Sequence, residues 1–160
     1  MNHNNQINIF DLIDEPQHII QLAKWHYKEW AILNPGQSLE DRINNMQTYL
    51  KKDFIPSMYI AKYNNHLAGS VAIVEHDMVT RKELSPWLAS VYVTVELRNK
   101  GIGSQLVQHT VRKAKESGID KLYLFTPDKV DFYKRLGWSV LEETAYHCEP
   151  VTIMQICLNN

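Results

Sequence analysis

The chain has few cysteines and no long apolar run, and these two shortages exclude several classes of protein. Its 160 residues include two cysteines, Cys148 and Cys157, which lie in or beside one predicted strand, too far apart along it to bond to each other. We therefore expect two reduced thiols, and no Cys/His spacing predicts a zinc or other metal site. No apolar run approaches the roughly 20 residues that a membrane span needs. The polar N-terminal segment has no signal-peptide core, so we expect a cytoplasmic protein without a membrane partner.

Net charge is also scarce. Lys and Arg total 17 and Asp and Glu total 18, which leaves a formal net charge of −1. Such a chain has no bulk attraction to DNA or RNA, so we expect no nucleic-acid partner. Its length predicts one domain over residues 1–160, and its 44% of hydrophobic residues is ordinary for a globular protein.

The spacing of apolar residues predicts the element order β-α-α-β-β-β-α-β-α-β-β. Predicted strands cover residues 7–12, 58–63, 67–74, 87–95, 122–125, 138–146 and 151–158. The first helix should bury Ile19, Leu22, Ala23, Tyr27 and Trp30, and the second should run from Ser38 to about Lys51. This order predicts an α/β (α+β) fold with a mixed, mainly antiparallel central sheet, flanking helices and one β-α-β crossover.

The most informative segment is a strand followed by a basic glycine turn and an amphipathic helix over residues 103–117. The turn reads Arg98-Asn99-Lys100-Gly101-Ile102-Gly103-Ser104. Glycine lets an anion approach the backbone, and the first N–H groups of a helix have no partner inside it. With the helix dipole and two cations, the turn predicts a phosphate or pyrophosphate site. A solvated strand-to-helix turn is the alternative, since the spacing is neither Walker A nor the dinucleotide motif.

This order and three local motifs resemble the GNAT superfamily of acyl-CoA-dependent N-acyltransferases. The motifs are the turn at residues 98–103, the preceding strand with Val91-Tyr92-Val93, and Phe132-Tyr133-Lys134-Arg135-Leu136-Gly137-Trp138. The last is similar to the family's aromatic-Tyr-x-x-x-Gly-aromatic segment. The resemblance implies acetyl-CoA as the acyl-donor cosubstrate, bound in the β-α-β crossover. The residues so implied are Val91, Tyr92, Val93, Arg98, Asn99, Lys100, Gly101, Ile102, Gly103, Ser104 and Thr126, the last standing where the family often has Asn.

The resemblance also implies direct transfer of an acetyl group to a primary amine, with Tyr133 near the thioester sulfur as the acid. No glutamate lies within residues 87–93, a common site for the family's base. The first candidates for the base are therefore Glu75 and His76, which end the preceding strand. Glu83 could bind substrate and His147 could reach the acceptor side. Glu75, His76 and His147 could instead be exposed residues at strand ends.

The acceptor stays open between a small-molecule amine and a peptide or protein amine. Acidic residues in the first two helices and the last hairpin hint at a cationic acceptor, or are plain surface. Homodimers are common in the family, so a homodimer is possible here. The alternative function is a catalytically idle acyl-CoA-binding or regulatory module on the same fold.

Overall fold

A computed structural model describes residues 6–159, in which seven strands form one sheet in the order β1-β2-β3-β4-β5-β7-β6. The strands are β1 (Ile7–Asp11), β2 (Ser57–Tyr63), β3 (His66–Val74), β4 (Trp87–Val93), β5 (Lys121–Thr126), β6 (Ser139–Tyr146) and β7 (Glu149–Cys157). The helices are α1 (Ile19–Trp30), α2 (Leu39–Met46), α3 (Ile102–Glu116) and α4 (Val130–Arg135). Within the described residues only β4 and β5 pair in parallel, through the crossover helix α3. The predicted fold class is confirmed.

Short-range sequence signals determine several element ends. The Ser38 side chain accepts a hydrogen bond from the Asp41 backbone N–H at 3.0 Å, and the Asp41 carboxylate accepts one from the Ser38 N–H at 2.9 Å. This capping box begins α2 as the sequence predicts. Asn64 and Asn65 both have positive φ, 49° and 69°, and form the tight turn between β2 and β3.

Several sequence predictions need correction, including the start of β7, which lies at Glu149 rather than at residue 151. Tyr27 is not part of the buried face of α1, because its side chain is 39% exposed and His26 is buried instead. The α-helical part of α2 ends at Met46, and a 3-10 turn continues it over Gln47–Leu50. Strand β4 ends at Val93 rather than at residue 95, because the chain turns into a 3-10 segment beside the glycine loop.

The helices cover both faces of the sheet. Helix α3 buries Leu106 and Val107 against one face, where Val71 and Ile73 of β3 belong to the same apolar cluster. Helices α1 and α2 cover the other face, and Ala72 of β3 lies in their cluster. Side chains alternate along a strand, so Val71 and Ile73 face α3, whereas Ser70 and Ala72 face α1 and α2. No helix within residues 6–159 has the length and apolarity to cross a membrane.

Strand β4 contains a bulge that disturbs the centre of the sheet. Ser70 pairs with Tyr92 and Ala72 pairs with Ala89, so two residues of β4 oppose one residue of β3. Ser90 lies in the bulge with φ 53°, a left-handed backbone that a residue with a Cβ rarely adopts. Next to this bulge β4 leaves its parallel neighbour.

A gap opens between β4 and β5. The two strands share the single pair Trp87↔Tyr123 in the part of the chain that the structure describes. Beyond that pair, the backbone N–H and C=O groups on the β5 side of β4, which belong to alternate residues, have no ladder partner among the described residues. The gap therefore offers a free strand edge inside the sheet.

Strands β3 and β4 approach closely beside the gap. A Cβ added at Gly69 would lie 2.2 Å from the carbonyl oxygen of Tyr92. Only glycine allows this approach, since the obstructing atom belongs to the backbone and cannot rotate away.

Candidate functional site

The glycine loop places the N-terminus of α3 beside the end of β4. Gly101 has φ 83° and precedes the first residue of α3, Ile102. A glycine has no side chain to cap the helix, so the first N–H groups of α3 remain available to a ligand. Arg98 donates from Nε to the Val93 carbonyl at 2.8 Å, and its guanidinium lies 5.6 Å from the centre of the Tyr92 ring. The loop thus has the geometry and the charge of an anion site.

The two glycines of the loop have different surroundings. A Cβ added at Gly103 would meet the Phe132 ring at 3.5 Å and the Val93 side chain at 3.6 Å, so the first turn of α3 packs between β4 and α4. A Cβ added at Gly101 would meet no atom of residues 6–159 within 4 Å, and the loop is open on that side among these residues. The loop is thus held by packing at Gly103 and open at Gly101, an arrangement that suits a ligand-binding loop.

Tyr133 lies on α4, which follows β5 across the gap. The side chain is 7% exposed, and its ring lies 5.0 Å from Phe132 and 6.1 Å from Trp138 between ring centres. Burial, with a smaller contribution from the Asp128 carboxylate, raises the pKa of the Tyr133 phenol. The phenol therefore keeps its proton at neutral pH and is a possible proton donor.

Thr126 supports the turn that leads into α4. Its Oγ1 accepts hydrogen bonds from the backbone N–H of Lys129 at 3.0 Å and of Asp128 at 3.4 Å. These bonds hold the entry to the helix that carries Tyr133. The predicted contact between Thr126 and a cofactor stays a prediction.

The residues predicted as bases, for substrate binding or for the acceptor side lie in exposed positions. The side chains of Glu75 and His76 are 76% and 47% exposed, and they contact each other at 3.7 Å in the loop after β3. Glu83 pairs with Arg81, and His147 lies in the exposed turn between β6 and β7. Within residues 6–159, no group of three or more His, Cys, Asp or Glu side chains could hold a metal ion.

The comparison with known families agrees with this geometry. Residues 19–138 match the model of the acetyltransferase (GNAT) family. The chain belongs to this family. The resemblance predicted from the sequence is thereby confirmed.

Relatives of known sequence or structure are similar over most of this GNAT chain. An uncharacterized N-acetyltransferase of Chlorobaculum tepidum is 27% identical over 107 residues, which are 67% of this chain and 63% of that protein. The match thus spans less than two thirds of that relative's length. A GNAT acetyltransferase of Streptococcus pneumoniae has a TM-score of 0.71 at 18% identity, over 96% of this chain and all of that one. An aminoglycoside 6'-N-acetyltransferase complexed with coenzyme A also has a TM-score of 0.71 at 18% identity, over 97% of this chain and 98% of that one.

This GNAT chain also contains a buried polar group that the sequence did not predict, on the sheet face beneath α1 and α2. We call His26, Arg42, Ser70 and Ser90 the polar relay. His26 is 2% exposed, and its Nε2 lies 2.8 Å from Ser70 Oγ. Arg42 Nη2 lies 2.9 Å from His26 Nδ1 and 3.1 Å from Ser90 Oγ. Ser70 Oγ donates to the Ser90 carbonyl at 2.8 Å, so the relay reaches the bulge of β4.

Asp77 and Tyr49 lie close enough to Arg42 for its charge to influence both side chains. Burial raises the pKa of Asp77 to about 6, and the charge of Arg42 opposes that increase. Burial also raises the pKa of the Tyr49 phenol. Asp77 is half-buried and lies two residues after the predicted base Glu75, which is exposed. Nothing in the polar sequence of this loop distinguishes the two acids. A carboxyl group that titrates near neutral pH is a candidate acid or base.

Aromatic rings border the relay. Trp25 stacks on Tyr92 with ring centres 5.5 Å apart, and Trp30 meets the same ring edge-on at 6.1 Å. Both tryptophans are half-buried. The Trp30 ring also lies 5.2 Å from the His26 ring between ring centres, so these rings pack beside the relay.

Proposed function

We propose that this GNAT chain is an enzyme that transfers an acetyl group from acetyl-CoA to a primary amine, by direct attack of the amine in a ternary complex. The observation that carries the proposal is the N-terminus of α3, where Gly103 lies beside Val93 of β4 and beside Phe132, the neighbour of Tyr133 on α4. The thioester cosubstrate supplies an activated acyl group. The protein then has to bind the cosubstrate, polarise its carbonyl, accept a proton from the amine and donate one to the thiolate.

The loop and the gap fit the two ends of such a cosubstrate. The backbone N–H groups from Asn99 to Ser104 and the side chains of Arg98 and Lys100 suit a pyrophosphate. The free edge at Val91 and at the Val93 N–H suits the amide groups of a pantetheine arm, which would pair with it as an added strand. The Val93 carbonyl already accepts a hydrogen bond from Arg98. An aminoglycoside acetyltransferase with a similar fold was crystallised with coenzyme A, which supports this choice of cosubstrate.

Two groups beside the gap suit the chemical step. A backbone N–H after the bulge of β4 would hydrogen-bond the thioester oxygen as negative charge develops on it. Tyr133 would donate its proton to the departing thiolate. Burial that raises the pKa of the phenol also raises the proton affinity of a thiolate formed in the same place, since low polarity disfavours either anion.

The acceptor side lies on the face covered by α1 and α2. An alkyl ammonium ion must lose a proton before attack, so a base must reach it directly or through water. Glu75 and His76 remain the proposed bases, and Asp77 joins them because its carboxyl is half-buried and has a raised pKa. Aminoglycosides are a suitable first panel of amines, since two structures with this fold are of aminoglycoside acetyltransferases.

Calorimetric titration with acetyl-CoA, coenzyme A and propionyl-CoA tests the cosubstrate, and CoA release in the presence of an amine panel tests transfer. We expect one-to-one binding of acetyl-CoA and release of CoA with at least one amine. Binding without release for any amine would favour the idle acyl-CoA-binding module. Absence of binding at millimolar acetyl-CoA would refute the proposal.

A further inference from the structure

We infer that His26 and Ser70 form a buried clamp that holds Ser90 in its left-handed conformation, and so positions the backbone of β4 that faces the acyl group. Only the reference to the acyl group rests on the proposed function. Neither residue touches that group in this arrangement, so both are positioning residues.

The Arg42 guanidinium determines which atom donates and which accepts in each hydrogen bond of the relay. A guanidinium can only donate, so His26 Nδ1 accepts the hydrogen bond from Arg42 Nη2 and carries no proton. The imidazole proton is therefore on Nε2, which donates to Ser70 Oγ. The Ser70 hydroxyl then has its own hydrogen free for the Ser90 carbonyl. Each hydrogen bond thus determines the direction of the next one, and the last is accepted by the Ser90 carbonyl in the bulge.

Burial and charge keep this arrangement in one protonation state. Burial lowers the pKa of His26 well below 6.5, and the adjacent charge of Arg42 lowers it further. The other groups near Arg42 are Tyr49, which is buried, and Asp77. A protonated His26 would turn a second N–H toward Arg42, so the relay requires a neutral ring.

Ser90 is held at two atoms. Its carbonyl accepts from Ser70, and its hydroxyl accepts from Arg42 Nη2 at 3.1 Å. Ser70 belongs to β3 and Arg42 to α2. His26, which bonds both of them, belongs to α1. A serine with φ 53° is disfavoured by its own Cβ. Hydrogen bonds from three elements outside β4 therefore stabilise a conformation that the residues next to Ser90 do not favour.

The conformation of Ser90 determines the path of the rest of β4. The bulge shifts the register between Ser70↔Tyr92 and Ala72↔Ala89, and in the described part of the chain β4 pairs with β5 only at Trp87. A regular Ser90 would remove the extra residue and rotate the next backbone N–H groups out of the gap. The clamp therefore maintains the free edge on which the proposed thioester contacts depend.

The test first removes the Ser70 hydroxyl, and then replaces Ser90 with a residue that adopts a left-handed backbone without support. Ser70→Ala deletes one oxygen and leaves the His26 ring in place. Ser90→Gly in that background lets the backbone adopt φ 53° without help, since glycine has no Cβ. Ser57→Ala is the matched control, because Ser57 is another buried serine of the sheet and its Oγ has no hydrogen-bond partner in the described residues.

We expect Ser70→Ala to lower kcat for acetyl transfer about tenfold or more, the order of effect that an unsupported left-handed residue can cause. KM for acetyl-CoA should change less, since the glycine loop is untouched. Ser70→Ala with Ser90→Gly should recover most of the lost kcat, and Ser57→Ala should match the wild type. Equal kcat in Ser70→Ala and wild type, or no recovery in the double variant, would overturn the clamp.

Nuclear magnetic resonance of the unliganded protein tests the clamp without an assay of acetyl transfer. The His26 ring should be neutral and protonated on Nε2 throughout the neutral pH range. The backbone chemical shifts of residues 90 and 91 should move in Ser70→Ala and return in the double variant. A ring protonated on Nδ1, or unchanged shifts in Ser70→Ala, would refute the clamp even if acetyl transfer is confirmed. The expected shifts without any acetyl transfer would support the clamp and refute the proposed function alone.

Discussion

Replacing Gly69 with alanine should destabilise the fold through a clash at one backbone atom. The new Cβ would lie 2.2 Å from the Tyr92 carbonyl oxygen, and 3.2 Å from both the Tyr92 carbonyl carbon and the Val93 Cα. An ordinary carbon–oxygen contact is about 3.4 Å, so the strands would have to separate by about 1 Å. Neighbouring backbone hydrogen bonds such as Thr94 N–H to Ala68 O, now 2.8 Å, would then exceed hydrogen-bond length.

The expected loss in free energy of unfolding is about 2–4 kcal/mol. About two backbone hydrogen bonds at ~1 kcal/mol each account for the lower value, and groups left buried without partners account for the rest. Urea unfolding followed by circular dichroism measures it directly. The reasoning would be wrong if Gly69→Ala unfolded within about 0.5 kcal/mol of the wild type, the range of neutral substitutions.

Gly103→Ala is the matched control for Gly69→Ala. The same added methyl group would meet Phe132 and Val93 at 3.5 and 3.6 Å, which are ordinary contacts. Alanine also favours the first turn of α3 by up to about 1 kcal/mol. Its stability should therefore equal or exceed that of the wild type. A similar loss in both variants would point to a general intolerance of the sheet rather than to the Tyr92 carbonyl.

Three further predictions concern the site. Gly103→Asp should abolish acetyl-CoA binding in calorimetry, since it adds bulk and negative charge beside the α3 N-terminus, and full affinity would refute the assignment of the loop. Tyr133→Phe should lower kcat by about 10²-fold or more with acetyl-CoA affinity nearly intact, and unchanged turnover would refute the acid role. Asp77→Asn should raise thermal stability above about pH 6 and match the wild type below about pH 4. The folded protein holds the Asp77 proton with a pKa of about 6, against 3.8 for an unperturbed aspartate, so ionisation opposes folding as pH rises between these values. Equal stability of Asp77→Asn and the wild type at neutral pH would contradict this, and Glu75→Gln is the exposed control.

The helices and strands and their order were predictable because the residues that begin and end them are close together in the sequence. The capping box of Ser38 and Asp41 and the Asn64-Asn65 turn each depend on residues next to one another in the chain. The glycine loop was predictable for the same reason, since the Gly101 conformation and the start of α3 lie in one short segment.

The polar relay was not predictable, because its partners are distant in sequence. Helical periodicity allows either residue 26 or residue 27 to face the sheet, and apolar preference favours Tyr27. His26 is buried because Ser70, 44 residues away, and Arg42, 16 residues away, satisfy both ring nitrogens. Ser90 likewise has no neighbour in sequence that indicates φ 53°.

The free edge of β4 has a consequence for the behaviour of the protein in concentrated solution. Unpaired strand edges on the outside of a sheet attract strands of other molecules and begin aggregation. This edge is internal, with β5 beside it, and the space narrows to the Trp87↔Tyr123 pair. A strand of another molecule could pair with this edge only by entering between two strands of the same sheet. The protein can thus leave backbone hydrogen-bonding groups unpaired for a ligand without exposing them to its own copies.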